Sequence, residues 1–335
     1  MARIELFSLR PDERAAYERF LEDWPELDLA CHEGDLTEGR LQELGPDLRA
    51  VVCCQVRPLS AELIHGLAEL GCRVLATRSA GYDMYPLELL KKAGIRLVNT
   101  PAYSPESIAE FSCMAGLYLL RQMPLIQERV GRGDFRWEPE IMSRRLRDYS
   151  VGIAGTGRIG RETARCFARL GCRILAYDLY PDEALEQEGL LRYVSWEELL
   201  GQSDLLSLHM PATEENTHIL NARSLALMPR GAALVNAARG SLVDTEALLA
   251  ALDSGALSGA ALDTYEAEQP YVAKSWEGRA IESAEFRRLL AHPRLLYTPH
   301  IAFYTDEAVE AMFRQPILAV QEILETGKTA SEVQL

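Results

Sequence analysis

Residues 151–160 read VGIAGTGRIG. A short apolar run ends in three glycines, and a helical period follows to about residue 170. Gly155, Gly157 and Gly160 fit G-x-G-x-x-G in the context that this motif requires, with a strand before it and a helix after it. The first glycine permits a tight turn, the second lets a pyrophosphate approach backbone, and the third lets helix and strand pack closely. The start of the helix then offers N–H groups and the positive end of its dipole to phosphates. Asp178, eighteen residues past Gly160, ends the next apolar run, ILAYD. A carboxylate there can accept from both ribose hydroxyls and repels a 2′-phosphate, which predicts NAD as the cofactor over NADP. The competing reading of Asp178 is a solvated strand-end carboxylate.

The rest of the chain repeats this plan. Runs at 3–9, 49–54, 73–77 and 96–99 read as strands, and 11–21, 60–70 and 86–92 read as helices. A second set of strands is predicted at 150–154, 173–177, 204–209, 232–236, 258–262 and 294–297, with a helix at 158–170. Alternating strands and helices predict an α/β fold with mostly parallel sheets covered on both faces. Two such units are expected. Residues 70–76 read LGCRVLA and residues 170–176 read LGCRILA, in each case a helix end, a capping glycine and a new strand. The stretch 104–122 is apolar on most of its circumference, which predicts a buried connector or a subunit interface. The helical stretch 305–325 is expected to cross back to the first unit.

The chain has 335 residues, room for about two domains. Its 35 basic and 50 acidic residues leave a net charge of −15. That argues against nucleic acid or an anionic membrane as partner, though a local basic pocket for a small anion stays open. No apolar run reaches the ~18–20 residues of a membrane span. The N-terminal MARIELFSLRPDER has no signal-peptide pattern. The seven cysteines are odd in number and lie mostly in apolar stretches, which predicts free thiols in a reducing compartment and a cytoplasmic protein. With no C-x-x-C pair, no metal site is expected.

Three further residues share one address. Arg239 follows the run ending VNAA, Glu268 lies shortly after the strand ending at 262, and His300 follows YTP. All sit near the carboxyl ends of strands in the second unit, where open α/β sheets place their ligands. Arg can clamp a carboxylate with two parallel hydrogen bonds. His can hand a proton to a carbonyl oxygen, and a carboxylate beside it favours the charged imidazole. Each residue alone could equally be a surface arginine or a satisfied loop histidine. Their common placement predicts a site for reducing a keto acid.

The chain resembles the NAD-dependent D-2-hydroxyacid dehydrogenases, from about residue 51 to about 324. The resemblance rests on RSAGYD (78–83), TPAYSPESIAEF (100–111), VGIAGTGRIG, AYD (176–178), LHMP (208–211), NAARGSLVDT (236–245), ALDTYEAE (261–268) and TPHIAFYT (298–305). The stretch 269–293, with SWEGR inside it, is similar to the longer loop of the lactate branch. The resemblance implies two doubly wound parallel-sheet domains, a Rossmann NAD-binding domain (102–299) inserted into a flavodoxin-like substrate domain (1–101 and 300–335). It implies Arg239, Glu268 and His300 as the catalytic set. Ala80 and Gly81 would give backbone donors to the substrate carboxylate, with Tyr103 and Phe303 as pocket walls. Arg158, Ile159, Asp178, Met210, Pro211, Asn216, Ala237, Ala238, Arg239 and Asp263 fall at cofactor positions, with the three motif glycines. A homodimer joined through the NAD-binding domains is implied. So is reduction of pyruvate or a related 2-oxo acid by NADH, with the substrate between the domains. Lactate-branch members often carry a tyrosine where this chain has Cys54, whose smaller side chain leaves room beside the substrate's substituent. The alternatives are a dehydrogenase of larger acids, of the hydroxyisocaproate or phenyllactate type, and an NAD(H)-responsive corepressor-like binding protein.

Overall fold

In the computed structural model, which describes residues 3–45, 47–54, 58–82 and 84–334, the strands form two sheets whose ladders are all parallel. The chain divides into one compact unit of residues 1–104 and 304–335 and a second of residues 105–303. The boundaries expected after 101 and 299 fall three and four residues before these.

The strands of the first unit are β1 (Arg3–Leu6), β2 (Leu29–Cys31), β3 (Leu48–Cys53), β4 (Val74–Thr77) and β5 (Arg96–Val98). Their order is β2-β1-β3-β4-β5, the flavodoxin-like arrangement. Alternate strand residues face opposite sides. Ile4, Leu6, Ala50, Val52, Val74 and Ala76 pack against Phe313, Ile317 and Val320 of the helix Asp306–Thr326. Val51, Cys53 and Leu75 pack on the other side against Leu63, Ile64 and Leu67 of the helix Ala61–Glu69. The helix Asp306–Thr326 therefore packs on the sheet of the first unit.

The second unit holds β6 (Ser150–Ala154), β7 (Arg173–Tyr177), β8 (Arg192–Tyr193), β9 (Leu205–Leu208), β10 (Ala232–Asn236), β11 (Leu257–Leu262) and β12 (Leu295–Tyr297). Their order, β12-β11-β10-β9-β6-β7-β8, is doubly wound and reverses direction between β9 and β6. One face carries Val151, Ile153, Ile174, Val235 and Ala261 against Phe167 and Leu119. The other carries Leu206, Leu208, Leu234 and Leu262 against Leu199, Leu249 and Phe286. The apolar stretch after residue 104 is the helix Pro105–Leu120, and Ala115, Leu119 and Leu120 bury it within this unit.

Some expectations need correction. The run 3–9 is a strand only to Leu6, because Ser8 takes a left-handed backbone (φ +59°) that no strand accommodates. The strands β2 and β8 lie outside the predicted set; they are edge strands of only three and two residues, too short to stand out as runs. The LGCR echo is two copies of one helix end. Cys72 N–H reaches back to Leu67 O and Cys172 N–H to Phe167 O, at 3.0 and 3.1 Å, before β4 and β7 begin.

Phe167 is fully buried between sheet and helix. Phe167→Ala should cost about 3–5 kcal/mol, read as a lower urea midpoint for the unfolding step that includes the second unit.

Candidate active site

The second sheet reverses its order at β6, and the loop after β6 carries the glycine motif. Gly155 has φ +94°, and a Cβ there would lie 2.8 Å from the His209 and Met210 backbone. A Cβ on Gly160 would lie 1.9 Å from the Gly155 carbonyl oxygen. The helix Arg158–Arg169 starts from Gly157 with no side-chain cap, and no described atom lies within 4 Å of where a Gly157 Cβ would stand. A helix start without a side-chain cap, with open space beside Gly157, suits a pyrophosphate.

Asp178 follows β7. Its Oδ2 accepts from the Thr156 N–H (2.6 Å) and the Thr156 hydroxyl (3.0 Å), and its Oδ1 from the Tyr180 N–H (2.9 Å). Met210 and Pro211 follow β9. Asn216 closes the next turn by accepting from Thr213 N–H (2.7 Å) and donating to Pro211 O (2.8 Å). Ala237 and Ala238 follow β10, with Ala238 N–H on Asn236 Oδ1 at 3.0 Å. Arg158 is exposed and Ile159 half-buried in the helix's first turn. These residues form one rim at the carboxyl ends of β6, β7, β9 and β10, and their donors and carboxylate fit a dinucleotide.

On the same rim, His300 Nδ1 lies 2.7 Å from Glu268 Oε1, although the two residues are 32 positions apart. The other Glu268 oxygen accepts the Tyr265 N–H at 2.9 Å, so the carboxylate is oriented before it meets the imidazole. Nδ1–H donates to the carboxylate, which leaves Nε2 as the nitrogen able to exchange a proton. Burial works against a charged His300. The hydrogen bond and charge of Glu268, with the charge of Asp263, outweigh it and the opposing charge of Arg239, so the His300 pKa is raised above its ordinary value. Burial alone acts on His209, at the end of β9, and lowers its pKa to about 3. His209 thus stays neutral where His300 can carry charge.

His300 has a left-handed backbone, φ +59°. Its N–H donates to the Asp263 carbonyl at 2.8 Å. The Asp263 carboxylate, 2% exposed, accepts from Thr298 Oγ1 (2.6 Å), Ile301 N–H (2.9 Å) and Ala302 N–H (2.8 Å). Arg239 stands at the turn after β10, half-buried, with one guanidinium nitrogen 2.8 Å from Ala238 O. The next residue, Gly240, brings that turn against the Glu268 segment, since a Cβ there would lie 2.2 Å from the Tyr265 carbonyl carbon. Phe303, half-buried, ends this unit.

The remaining candidates belong to the first unit. The Ala80 carbonyl accepts from Asn99 Nδ2 (2.8 Å) and the Gly81 carbonyl from Ser79 Oγ (2.6 Å). Cys54 follows β3 and Tyr103 lies near the end of the first segment, both half-buried. Asp83 of the RSAGYD motif lies outside the described residues. Sequence reading missed the aromatic packing behind Glu268. Tyr265 stacks on Phe286 at 4.9 Å and Tyr271 packs on the same ring at 4.5 Å. The aromatic spacing in 265–286 was its only signal.

A doubly wound sheet with a nucleotide cradle and a carboxylate-paired histidine on one rim defines the site of a dinucleotide-dependent dehydrogenase. The family described as "D-isomer specific 2-hydroxyacid dehydrogenase, NAD binding domain" matches residues 113–302. A D-lactate dehydrogenase of Streptococcus agalactiae is 42% identical over 335 residues, covering 99% of each chain. One from Treponema pallidum is 42% identical over 333 residues, covering 99% of this chain and 100% of that one. The solved structure of a Treponema pallidum D-lactate dehydrogenase has a TM-score of 0.91 at 41% identity, covering 99% of this chain and all of the other. That of a D-2-hydroxyisocaproate dehydrogenase has a TM-score of 0.89 at 34% identity, covering 99% of both. The chain belongs to the D-isomer specific 2-hydroxyacid dehydrogenase family. It is an oxidoreductase, and its cofactor is NAD.

Replacing Glu268 with Gln removes the negative charge that favours imidazolium and leaves only a weaker, neutral acceptor for Nδ1–H. An NMR titration should show a lower His300 pKa in Glu268→Gln. An unchanged titration would mean that the contact does not set the charge state.

Proposed function

We propose that the chain interconverts pyruvate and D-lactate with NADH. The observation that carries this reading is the His300–Glu268 pair on the rim that holds the nucleotide cradle. The choice of acid is supported by full-length relatives named D-lactate dehydrogenase. NADH, when bound, supplies the hydride. His300, charged in the reducing direction, donates the Nε2 proton to the substrate oxygen as negative charge develops there. Glu268 holds the ring in one tautomer and stabilises its charge. Arg239 grips the carboxylate with its planar fork. Ala80 and Gly81 have their carbonyls tied back, which suits their N–H groups to a carboxylate. Tyr103, Phe303 and the small Cys54 would shape the walls. The assignment of the first unit to substrate and the second to cofactor is part of this proposal.

The raised His300 pKa fixes the sign of the pH dependence. Reduction is supported while His300 is protonated and falls as pH rises through its pKa; oxidation rises over the same span. Two further readings go with the function. Free thiols at all seven cysteines support a reducing, cytoplasmic setting. The segment with Phe135, Trp137 and Met142, which are 74, 97 and 78% exposed, supports a homodimer through the second unit.

NADH oxidation should be measured with pyruvate, 2-oxobutyrate, 2-oxoisocaproate and phenylpyruvate. Pyruvate should give the highest kcat/KM. A larger acid in first place would overturn the pyruvate reading and make Cys54 the first site to change. NADH-driven assembly without turnover would overturn the enzymatic reading. His300→Ala should lose about 10²–10⁴ in kcat, and Arg239→Lys should raise KM for the keto acid because lysine lacks the fork. Trp137→Asp should shift the protein to a smaller species in sedimentation; an unchanged species would remove this face from the dimer.

A further inference from the structure

Thr156 is the residue between the first two glycines of the nucleotide loop, and it is 3% exposed. Its hydroxyl lies 3.0 Å from Asp178 Oδ2 and 2.8 Å from the Tyr193 hydroxyl. The Tyr193 oxygen lies 3.0 Å from the Asp182 N–H. Proton counting gives these contacts a direction. An ionised carboxylate only accepts, so the single Thr156 hydroxyl proton goes to Asp178. Thr156 must then accept from Tyr193, whose hydroxyl donates its only proton there. The Tyr193 oxygen is left to accept from the Asp182 N–H. The chain runs one way: Asp182 N–H to Tyr193, Tyr193 to Thr156, Thr156 to Asp178.

The same carboxylate oxygen takes the Thr156 N–H at 2.6 Å, and the other takes the Tyr180 N–H at 2.9 Å. Three donors therefore hold Asp178 in one rotamer on the rim of the nucleotide cradle. We propose that Thr156 and Tyr193 are specificity-determining positioning residues, which lock Asp178 in place so that NAD is accepted and a 2′-phosphorylated dinucleotide refused. This rests on the reading of Asp178 as the ribose-binding carboxylate. A carboxylate free to turn could swing away from a 2′-phosphate and relieve the repulsion; a clamped one cannot. Selectivity then resides in the fixed position of the charge as well as in its presence.

The test compares kcat/KM for NADH and NADPH, with binding of each followed by nucleotide fluorescence, in Thr156→Val, Thr156→Ser, Tyr193→Phe, Asp178→Ala and the double variant Asp178→Ala/Thr156→Val. Thr156→Val keeps the volume and loses the hydroxyl, and should narrow the NADH preference about tenfold, the scale of one hydrogen bond to a charged group. Thr156→Ser keeps the hydroxyl and should keep the preference. Tyr193→Phe should narrow it by a smaller factor. The double variant should match Asp178→Ala, because Thr156 has nothing left to hold. If Asp178→Ala narrows the preference while Thr156→Val and Tyr193→Phe leave it intact, the proposal is overturned and the ribose reading survives. If Asp178→Ala changes nothing, both fall. Should Thr156→Val fail to fold, Tyr193→Phe decides alone, since a preference equal to the parent's would overturn the clamp.

Discussion

The Asp263 carboxylate is the anchor on which the chemistry of the second unit hangs. A buried anion must be met by donors, and three of its donors come from the single loop 298–302. That loop carries His300 in a left-handed backbone, which costs a non-glycine residue about 1–2 kcal/mol. Hydrogen bonds to a charged group contribute about 1.5–3 kcal/mol each, so three of them outweigh the strain. One carboxylate, Asp263, thus holds the loop that carries the imidazole, and another, Glu268, meets its Nδ1 and favours its charged form. Asp263 fixes the backbone, and Glu268 fixes the tautomer.

Much of this architecture is legible in the chain itself. A parallel sheet covered on both faces needs continuous apolar strands, and β3, β4, β6, β7, β10 and β11 announce themselves that way. The short edge strands β2 and β8 do not, because they are three and two residues long and their residues are half or fully exposed. In the site, the types of Arg239, Glu268 and His300 suggest an acid–base task. What brings Glu268 to His300 is spatial: the β11–β12 pairing, the close approach at Gly240 and the ring stack of Tyr265 on Phe286. No local pattern encodes a contact between residues on different strands. Thr156 is invisible for another reason. It occupies a variable position of a glycine motif, and only its hydrogen bonds reveal what it does.

The first unit uses the same device in a different place. Arg78 and Glu13 are both fully buried, with a guanidinium nitrogen 2.6 Å from the carboxylate, and Arg78 also donates to the Ser8 carbonyl at 2.5 Å. A buried ion pair is weak evidence of added stability, because desolvating both charges offsets their attraction. It does discriminate against misplacement, since either charge left alone would be strongly unfavourable. Here it ties the turn after β1 to the start of the 78–81 loop, whose carbonyls Ser79 and Asn99 then hold.

The first unit is also discontinuous in sequence. Its sheet is covered on one face by Phe313, Ile317 and Val320. Val98 is bridged by Glu332, and Val333 sits in the core on the opposite face. During synthesis these residues leave the ribosome after residues 105–303. The sheet of residues 3–98 must therefore wait, with an apolar face uncovered, while the whole of 105–303 emerges and can already close its own core. Birth order and folding order are inverted: residues 3–98, made before residues 105–303, are completed after them. Until the final turns of the last helix arrive, that waiting face is the surface a chaperone would recognise.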